Sequence, residues 1–429
     1  MEIRPFRGWR YVGRLDGDIS PYVAPPYDVL SAEDKQHYLG EARDNIVAVD
    51  LPHVPPTGEG PEEVYRRAAD RLAEWESSGV LRQDDPAALY VYEQAFEWAG
   101  RTYVRRAMLC GVRATELGRD VIPHEHVFPG PLADRLKLTE CTRTQLSPIF
   151  GFYEDPAGRV GAVLAEIAAK RPVARAVLNE VVESLWLIDE PARIETVASA
   201  LRDVPVFIAD GHHRYTTALN YIQRLGGAGG LSDDHEANYV MFALVSRDDP
   251  GLLILPTHRM IRGLPEGFSV AELADEMGDF EWRRSGTADI GRAGIETLLG
   301  CSPPGAMVLI DGPEAQLWVA SLQRPEAMAE AVPDATDEWR CLPPSILHEL
   351  VIEKALKPRT AGELLVSYTP DVQKVVAACR SGEAQLGVIL QSIPVGSVVA
   401  IASSGGSMPH KSTYFYPKVS TGMVLKPLE

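Results

Sequence analysis

The sequence has few cysteines and no run of apolar residues long enough to cross a membrane. Its five cysteines, among 429 residues, are scattered without a CxxC pair, so the sequence predicts neither a disulfide framework nor a cysteine-based metal site. The first residues lack a signal-peptide core, and no stretch approaches the roughly 20 apolar residues of a membrane span. We therefore expect a cytoplasmic protein with reduced thiols and no membrane partner.

Positive charge is also scarce in this sequence. Lysine and arginine number 42 against 60 aspartates and glutamates, which leaves a formal net charge of −18. This balance argues against a broad electrostatic footprint on nucleic acid or on an anionic membrane, so we expect no nucleic-acid partner. A local basic pocket remains compatible with it, and the few clusters of histidine, lysine and arginine become more noticeable.

The length is sufficient for two or three domains. Hydrophobic residues make up 45% of the chain and charged residues 24%, as in ordinary soluble globular proteins. From about Gly263 the pattern changes to alternating helices and strands without obvious chemistry. We predict an α/β fold with a mixed sheet, divided into a domain over residues 1–262 and a smaller α/β domain over residues 263–429. The oligomeric state is not predicted.

Chemically competent side chains concentrate in one stretch, Asp210-Gly-His-His-Arg-Tyr-Thr216, which we call the central box. The preceding Val204–Ala209 is short, apolar and β-branched, which predicts a buried strand. The following Tyr215–Leu225 places apolar residues at helical spacing. The central box is therefore predicted to be a tight strand-to-helix turn, in which Gly211 permits an unusual backbone angle.

The side chains of the central box suit phosphate binding and proton transfer. Backbone N–H groups at a helix start favour anions, and Arg214 adds a planar fork that matches phosphate. His212 and His213 can donate to phosphate or move protons near neutral pH. Asp210 can hold Mg²⁺ or orient an imidazole, although an aspartate at a helix start is often only a cap. Thr216 completes the predicted phosphate-binding set of this turn.

A second polar cluster, Pro123-His-Glu-His-Val-Phe-Pro129, precedes the central box. On a strand, His124 and His126 would share one face and Glu125 would take the other. A zinc site would need further ligands, and no HExxH pattern exists. We therefore predict that Glu125 acts as a general base or as a ligand of a phosphate-bound Mg²⁺ ion.

Near the end of the sequence, Gly405–Lys418 combines glycines, hydroxyls, aromatic rings and two lysines. Lys411, Ser412 and Thr413 are similar to the tail of a phosphate loop, although the G-x-x-x-x-G-K-[ST] spacing is absent. We expect this tail to fold back and complete the active site close to Arg214. The substitution Lys411→Met should then weaken phosphate binding.

A third place where polar residues follow an apolar run is Leu252–Leu255, which predicts a strand ending before His258 and Arg259. We add these two residues to the predicted phosphate-binding set.

Two predictions concern residues outside the site. Asn45–Leu51 is apolar and β-branched and predicts a strand. Asp134 and Arg135 are expected at the start of a helix, with a solvated surface as the simplest interpretation.

Several stretches together resemble one bacterial and archaeal family of DUF-type proteins, over nearly the whole chain. They are Arg4-Pro-Phe6, Pro25-Pro-Tyr-Asp-Val29, His124-Glu125, Asp134-Arg-Leu136, Ser147-Pro-Ile-Phe150, Ala209-Asp-Gly-His-His-Arg-Tyr215, Leu255-Pro-Thr-His-Arg259 and Met408-Pro-x-Lys-Ser-Thr-Tyr-Phe-Tyr-Pro-Lys418.

The central box alone is also similar to the phosphate-binding element of the fold shared by chromosome-partition proteins, sulfiredoxins and free-serine kinases. His212 stands where the reactive cysteine of sulfiredoxins would fall, so thiol repair is not expected. Partition proteins carry DNA-binding helices in addition to this element, whereas this sequence shows no helix-turn-helix pattern. The resemblance implies a kinase that uses ATP or ADP with Mg²⁺ to phosphorylate an alcohol group, with serine as the first candidate substrate.

In that interpretation His212, His213 and Arg214 bind phosphates, Asp210 positions Mg²⁺ or a histidine, and Glu125 accepts the hydroxyl proton. Two alternatives stay open. One is a non-catalytic sensor of a nucleotide or phosphometabolite that uses the same pocket. The other is a metal-dependent hydrolase that is built from the histidines of both polar clusters, His124, His126, His212 and His213, together with Asp210.

Overall fold

A computed structural model describes residues 1–13, 17–125, 127–360 and 362–429. The chain divides into two compact units: the first comprises Met1–Leu253 with Pro417–Glu429, and the second comprises Ile254–Tyr416. The sequence had placed the boundary after residue 262 and given all later residues to the second domain. In the structure the last 13 residues instead belong to the first unit.

The first unit is organised around a nine-stranded sheet. The strands up to residue 246 are β1 (Ile3–Arg4), β2 (Trp9–Tyr11), β3 (Leu81–Gln83), β4 (Leu89–Trp98), β5 (Arg101–Arg113), β6 (Val121–Ile122), β7 (Thr144–Gln145), β8 (Ile149–Tyr153), β9 (Ala174–Leu178), β10 (Val181–Ile188), β11 (Val206–Asp210) and β12 (Tyr239–Ser246). The order in the sheet is β6-β11-β8-β12-β5-β4-β10-β9, with β1 beside β5. The β6–β11 and β8–β12 pairs are parallel and the others antiparallel, which confirms the predicted mixed α/β architecture.

Helices cover this sheet and connect its strands. They are α1 (Ala32–Glu41), α2 (Val47–Asp50), α3 (Glu62–Ser78), α4 (Pro129–Thr142), α5 (Arg159–Ala168), α6 (Pro191–Leu201) and α7 (His212–Gly226), with short 3-10 turns at Ser20–Tyr22, Tyr27–Val29, Gly227–Gly229 and Glu236–Asn238. The main core packs apolar residues of the central strands against α5, α6 and α7, for example Phe242 against Tyr215. This packing holds the start of α7 rigidly at the end of β11.

The short helix α2 corrects one prediction, because Asn45–Leu51 was expected to be a strand. The fully buried Asn45 side chain accepts from the Val47 N–H at 3.0 Å and donates to the carbonyls of Pro21 and Val23, both at 2.9 Å. These bonds favour a turn over an extended backbone, so the apolar residues of this stretch are buried on one helical turn.

From residue 253 the strands are β13 (Leu253–Pro256), β14 (His258–Arg262), β15 (Phe280–Thr287), β16 (Met307–Asp311), β17 (Gln316–Leu322), β18 (Leu365–Thr369), β19 (Leu386–Leu390) and β20 (Thr413–Tyr416). The second unit has a six-stranded, fully antiparallel sheet with the order β15-β17-β16-β19-β14-β18, and β13 and β20 lie outside it. Side chains along the strands of this sheet alternate between two cores: Met307 and Leu309 pack on one face, and Val308 and Ile310 on the other, as the period of two requires.

The helices of the second unit cover both faces of that sheet. They are α8 (Val270–Glu276), α9 (Gly291–Gly300), α10 (Glu326–Ala331), α11 (Asp337–Arg340), α12 (Pro343–Ile346), which continues as a π-helical segment (Leu347–Leu356), α13 (Val372–Arg380) and α14 (Val395–Ser403), with 3-10 turns at Ala288–Ile290 and Lys357–Arg359. Within the described ranges, no helix has the length and apolar character needed to cross a bilayer.

The segment Pro417–Glu429 runs through the first unit in a largely extended path. Its strand β21 (Lys426–Pro427) pairs with β7, and bridges join Trp9 to Leu425 and Ala24 to Thr421. These pairings fix the backbone of the segment beside the sheet.

Candidate functional site

The central box is the strand-to-helix turn that the sequence predicts. Strand β11 ends at Asp210, Gly211 adopts a φ of 98°, and α7 begins at His212. A Cβ at Gly211 would lie 3.0 Å from Nε of Arg214, because the guanidinium folds back over the turn. Only glycine combines this backbone angle with such close packing. No side chain among the described residues caps the N-terminus of α7.

Asp210 lies between two cations. Its Oδ2 accepts from Nη2 of Arg214 at 2.8 Å, and its Oδ1 accepts from Nζ of Lys418 at 2.8 Å. Burial alone would raise the pKa of this carboxyl, but Lys418 and Arg214 outweigh burial and hold the pKa well below its usual range. Asp210 is therefore a charged anchor that concentrates two positive groups at the start of α7.

Arg214 is fixed at both ends of its guanidinium. Besides Asp210, it donates through Nη1 to the carbonyl of Pro148 and to Oγ of Ser147 at 3.4 Å. Only 11% of its side chain is exposed. A preorganised guanidinium loses little conformational entropy when it binds an anion.

His212 is held as a neutral ring. Its Nε2 accepts the backbone N–H of His124 at 3.2 Å, and the two imidazoles pack edge to face with centroids 4.7 Å apart. Burial and the neighbouring His124 hold the pKa of His212 well below its ordinary value; burial lowers the pKa of His124 to about 4. With Nε2 as acceptor, a neutral ring carries its proton on Nδ1, 4.0 Å from Oε2 of Glu125.

His213 holds the Pro123–Pro129 segment against the central box. Its Nε2 accepts the Phe128 N–H at 2.9 Å, and its ring stacks on that of Phe128. Glu125 lies beside His212, and among the described residues of this region Val121–Ile122 forms a strand. The hydroxyl of Thr216 is buried without a hydrogen-bond partner. His126 lies outside the described residues.

Lys418 reaches Asp210 because a buried polar network holds its backbone. The Gln94 side chain donates to the carbonyl of Lys418 at 3.0 Å, while Oγ of Ser420 donates to Oε1 of Glu183 at 2.6 Å. Tyr92 and Gln94 donate to the same Glu183 oxygen at 2.7 and 2.8 Å. The sequence does not predict this network, because no sequence pattern indicates that the isolated polar residues of β4 and β10 bond to one another.

A narrow cleft runs beside the box between α4 and α7, with a volume of about 50 Å³. Its lining combines polar and apolar side chains. The polar residues are Tyr27, Asp50, Arg135, Thr139, Thr144, Gln145, Ser147, Arg214 and Thr217, and the apolar or aromatic residues are Leu138, Leu146, Ile149, Ala218, Tyr221, Ala237, Val240, Met241 and Leu428.

Asp134 and Arg135 lie on a helix, α4, as the sequence predicts, but they are buried and do not form the solvated surface that is the simplest interpretation of their sequence. Arg135 donates through Nε to Asp134 at 2.6 Å and through Nη1 to the carbonyl of Asp50 at 2.6 Å, with its guanidinium 4.0 Å above the ring of Tyr27. Asp134 is completely buried and also bonds His53 at 2.6 Å. Helix α4 packs between α3 and α7, so this face cannot reach solvent.

The remaining predicted site residues belong to the second unit. His258 and Arg259 follow the strand β13, as predicted, but they themselves lie in a further strand, β14, so their neighbouring side chains point to opposite faces. His258 accepts the Leu390 N–H through Nδ1 at 3.2 Å, and burial lowers its pKa to about 4. Lys411 and Ser412 precede β20, which begins at Thr413, and the carbonyl of Lys411 accepts from Nη2 of Arg259 at 3.1 Å.

The carboxylates at the box fit a directly bound Mg²⁺ ion poorly. Both oxygens of Asp210 already accept from cations, so a metal ligated there would have to displace Lys418 or Arg214. Among the residues that the structure describes, no group of three or more histidine, cysteine, aspartate or glutamate side chains is arranged to hold a metal ion.

Comparison with known proteins gives a family and several distant folds. Residues 3–327 match the family described as "Protein of unknown function (DUF1015)", and no curated protein sequence matches the chain. A conserved hypothetical protein from Pyrococcus furiosus is similar at 13% identity and a TM-score of 0.33, over 70% of this chain and 89% of the other.

Two further solved structures are similar at the same level. A free serine kinase in complex with AMP matches at 11% identity and a TM-score of 0.33, over 71% of this chain and 89% of its own. SbnI from Staphylococcus aureus, with a C-terminal truncation, matches at 12% identity and a TM-score of 0.36, over 75% and 87%. These scores are too low to transfer a role to any residue of this chain.

Proposed function

The chain belongs to the DUF1015 family, and from the geometry of its first unit we propose that it is a phosphotransferase that uses a nucleotide to phosphorylate a small hydroxylated metabolite. The observation that carries this proposal is the meeting of Arg214 and Lys418 at Asp210, directly before the uncapped N-terminus of α7.

A phosphate group at this turn would meet three favourable features at once. The first N–H groups of α7 and the helix dipole attract an anion. Arg214 and Lys418 both bond Asp210, which lies just before this helix start. In a protein with a net charge of −18, binding a polyanion requires such a local concentration of cations. Asp210 keeps both cations in position until the phosphate competes for them.

Glu125 is the proposed base for the acceptor hydroxyl. Its side chain is 34% exposed and lies 4.0 Å from the neutral His212, which can orient it through the Nδ1 proton. As the hydroxyl oxygen forms a bond to the terminal phosphorus, its proton moves to Glu125. The bond between that phosphorus and the bridging oxygen breaks, and its electron pair leaves with the shortened nucleotide.

The proposed acceptor enters the cleft beside Arg214. Its volume of about 50 Å³ is far below the roughly 300–1,000 Å³ of pockets for larger ligands, so it suits only a small molecule. Oγ1 of Thr217 is buried there without a hydrogen-bond partner, and such a group favours a polar occupant. Serine is the first candidate acceptor, by analogy with the free serine kinase to which this chain is distantly similar.

Nucleotide in the form of ATP or ADP would supply the phosphoryl group. Any Mg²⁺ is proposed to arrive with the nucleotide, because both carboxylate oxygens of Asp210 already accept from cations.

The test combines binding and turnover. Thermal shifts and calorimetry with ATP, ADP and AMP, with and without Mg²⁺, measure nucleotide affinity, and phosphate transfer to serine and other small alcohols measures catalysis. Arg214→Gln should weaken nucleotide binding at least tenfold, since hydrogen bonds to charged groups contribute about 1.5–3 kcal/mol. Arg224→Gln is the matched control, because Arg224 lies on the same helix, is 64% exposed and pairs with Glu140 on the protein surface.

Two results would contradict the proposal. Equal affinities in the Arg214 and Arg224 variants would remove the box from nucleotide binding. Tight binding without transfer to any acceptor would leave the sensor alternative in place of the enzyme.

A further inference from the structure

The second unit contains a buried arginine without an acidic partner. Arg259 is only 5% exposed, and no carboxylate of the described residues forms an ion pair with it. Its guanidinium donates to two backbone carbonyls, those of Thr257 and Lys411, and lies 4.6 Å above the ring of Tyr368. By contrast, the buried Arg10 forms a bidentate pair with Asp84 at 2.7 and 2.5 Å.

Burying a cation without an opposite charge is unfavourable. Burial lowers the pKa of Arg259 to about 10, because no carboxylate of the described residues offsets the loss of solvation. Two backbone carbonyls use two of the five N–H donors of a guanidinium, so the fork keeps donors for an additional acceptor.

A second polar group lies beside this guanidinium without a partner. Oγ1 of Thr257 is buried and accepts or donates no hydrogen bond within the described chain, and the residue is 6% exposed. Thr257 stands two residues before Arg259, the spacing that places side chains on one face of extended backbone. Tyr368 is the register partner of Arg259 in the β14–β18 pair, so it lies on that face as well.

The loop that closes over Arg259 has an unfavourable backbone angle. Lys411 adopts a φ of 54°, in the left-handed region that residues other than glycine rarely occupy. The hydroxyl of the neighbouring Ser412 bonds the carbonyl of Pro409, which holds the turn. Such angles persist where the surrounding structure imposes them, and they are common at ligand sites.

From these contacts we propose that the second unit binds a small oxyanion at Arg259, namely a phosphate group that is either free or carried by a small metabolite. The planar fork of Arg259 matches a phosphate, the Thr257 hydroxyl supplies a further donor, and the anion provides the missing negative charge. His258, on the opposite face of β14, takes no part. This site does not depend on phosphoryl transfer in the first unit.

The test is calorimetric titration of the full-length chain with inorganic phosphate at low ionic strength, in four forms: wild type, Arg214→Gln, Arg259→Met and the double variant. Arg259→Met should remove one phosphate site, or weaken it at least tenfold, and leave any site at Arg214 intact. The proposal is overturned if Arg259→Met leaves the stoichiometry and affinity unchanged, or if Arg214→Gln alone removes all phosphate binding.

A milder variant, Thr257→Val, guards against a folding defect in Arg259→Met. It removes the hydroxyl at nearly constant volume, so the melting temperature without phosphate should stay equal or rise, while the stabilisation by added phosphate should decrease. An unchanged phosphate-dependent shift in Thr257→Val would overturn the role of the hydroxyl and, with it, the site as drawn. Titration with AMP in parallel separates free phosphate from a phosphate monoester as the preferred ligand.

Discussion

Mild acid should destabilise the first unit through its two buried histidines, His124 and His212. Each is neutral in the folded chain, because burial lowers its pKa, to about 4 for His124. In the unfolded chain an ordinary histidine has a pKa near 6.5. Because the folded pKa is depressed, the unfolded state binds more protons below pH 6.5, so stability is full above that pH and decreases as the pH falls towards 4.

The magnitude follows from proton linkage. Between pH 7 and pH 5, a histidine whose pKa moves from 6.5 to about 4 on folding loses about 2 kcal/mol of stabilisation. The pKa of His212 is lowered in the same way by burial, so His212 should add to this loss of stability. For a unit of this size, about 2 kcal/mol corresponds to roughly 4–8 °C in melting temperature.

The assay is a series of thermal melts at pH 7, 6 and 5 on wild type, His124→Asn and His37→Asn. His124→Asn removes one titrating ring, so its melting temperature should fall by about 4–8 °C less between pH 7 and pH 5 than that of wild type. His37 is 69% exposed, so His37→Asn should follow wild type. Any effect of His258 on the pH dependence of the melting temperature is the same in all three proteins and cancels in the comparison. Parallel curves for wild type and His124→Asn would refute the reasoning.

Two further substitutions test the central box. Gly211→Ala should lower the free energy of unfolding by about 1–3 kcal/mol and abolish phosphate binding, because the added methyl contacts Arg214 at a φ of 98°. The control is Gly118→Ala, at a φ of 91° with open space around it, which should keep phosphate binding. Equal loss of phosphate binding in both variants would show that backbone strain alone is responsible. Lys418→Met should lower the free energy of unfolding by about 1.5–3 kcal/mol, measured by denaturant unfolding, and weaken phosphate binding, measured by calorimetry. The exposed Lys170→Met is the control. An unchanged phosphate affinity in Lys418→Met would confine Lys418 to a structural role.

The features that could be predicted from sequence are those with a local cause. The central box was recognised because an apolar strand, a glycine and an amphipathic helix follow one another within about 20 residues. The β4–β5 hairpin around Ala99-Gly100 and the Ser31–Asp34 capping box of α1 likewise depend on residues that are close in the chain. In each case the signal and the structure that it specifies involve the same few residues.

The features that were missed depend on partners far apart in the chain. Lys418 and Asp210 are separated by 208 residues, and no pattern near either one names the other. Charged residues on α4 have the composition of a solvated helix face, yet Asp134 is buried by His53 and Tyr65 from distant segments. The strand β14 was missed because its sequence, His-Arg-Met-Ile-Arg, carries charges that a buried strand usually lacks.

The division of the first unit into two chain segments has a consequence for its synthesis. On the ribosome, residues 417–429 emerge after the whole of the second unit, so a nascent chain can fold Ile254–Tyr416 before its first unit is complete. Until Lys418 is added, Asp210 has Arg214 as its one cation among the contacts described for its carboxylate. A chain that stops short of residue 418 therefore lacks half of the cationic pair, and the order of translation determines when this pair can first form at Asp210.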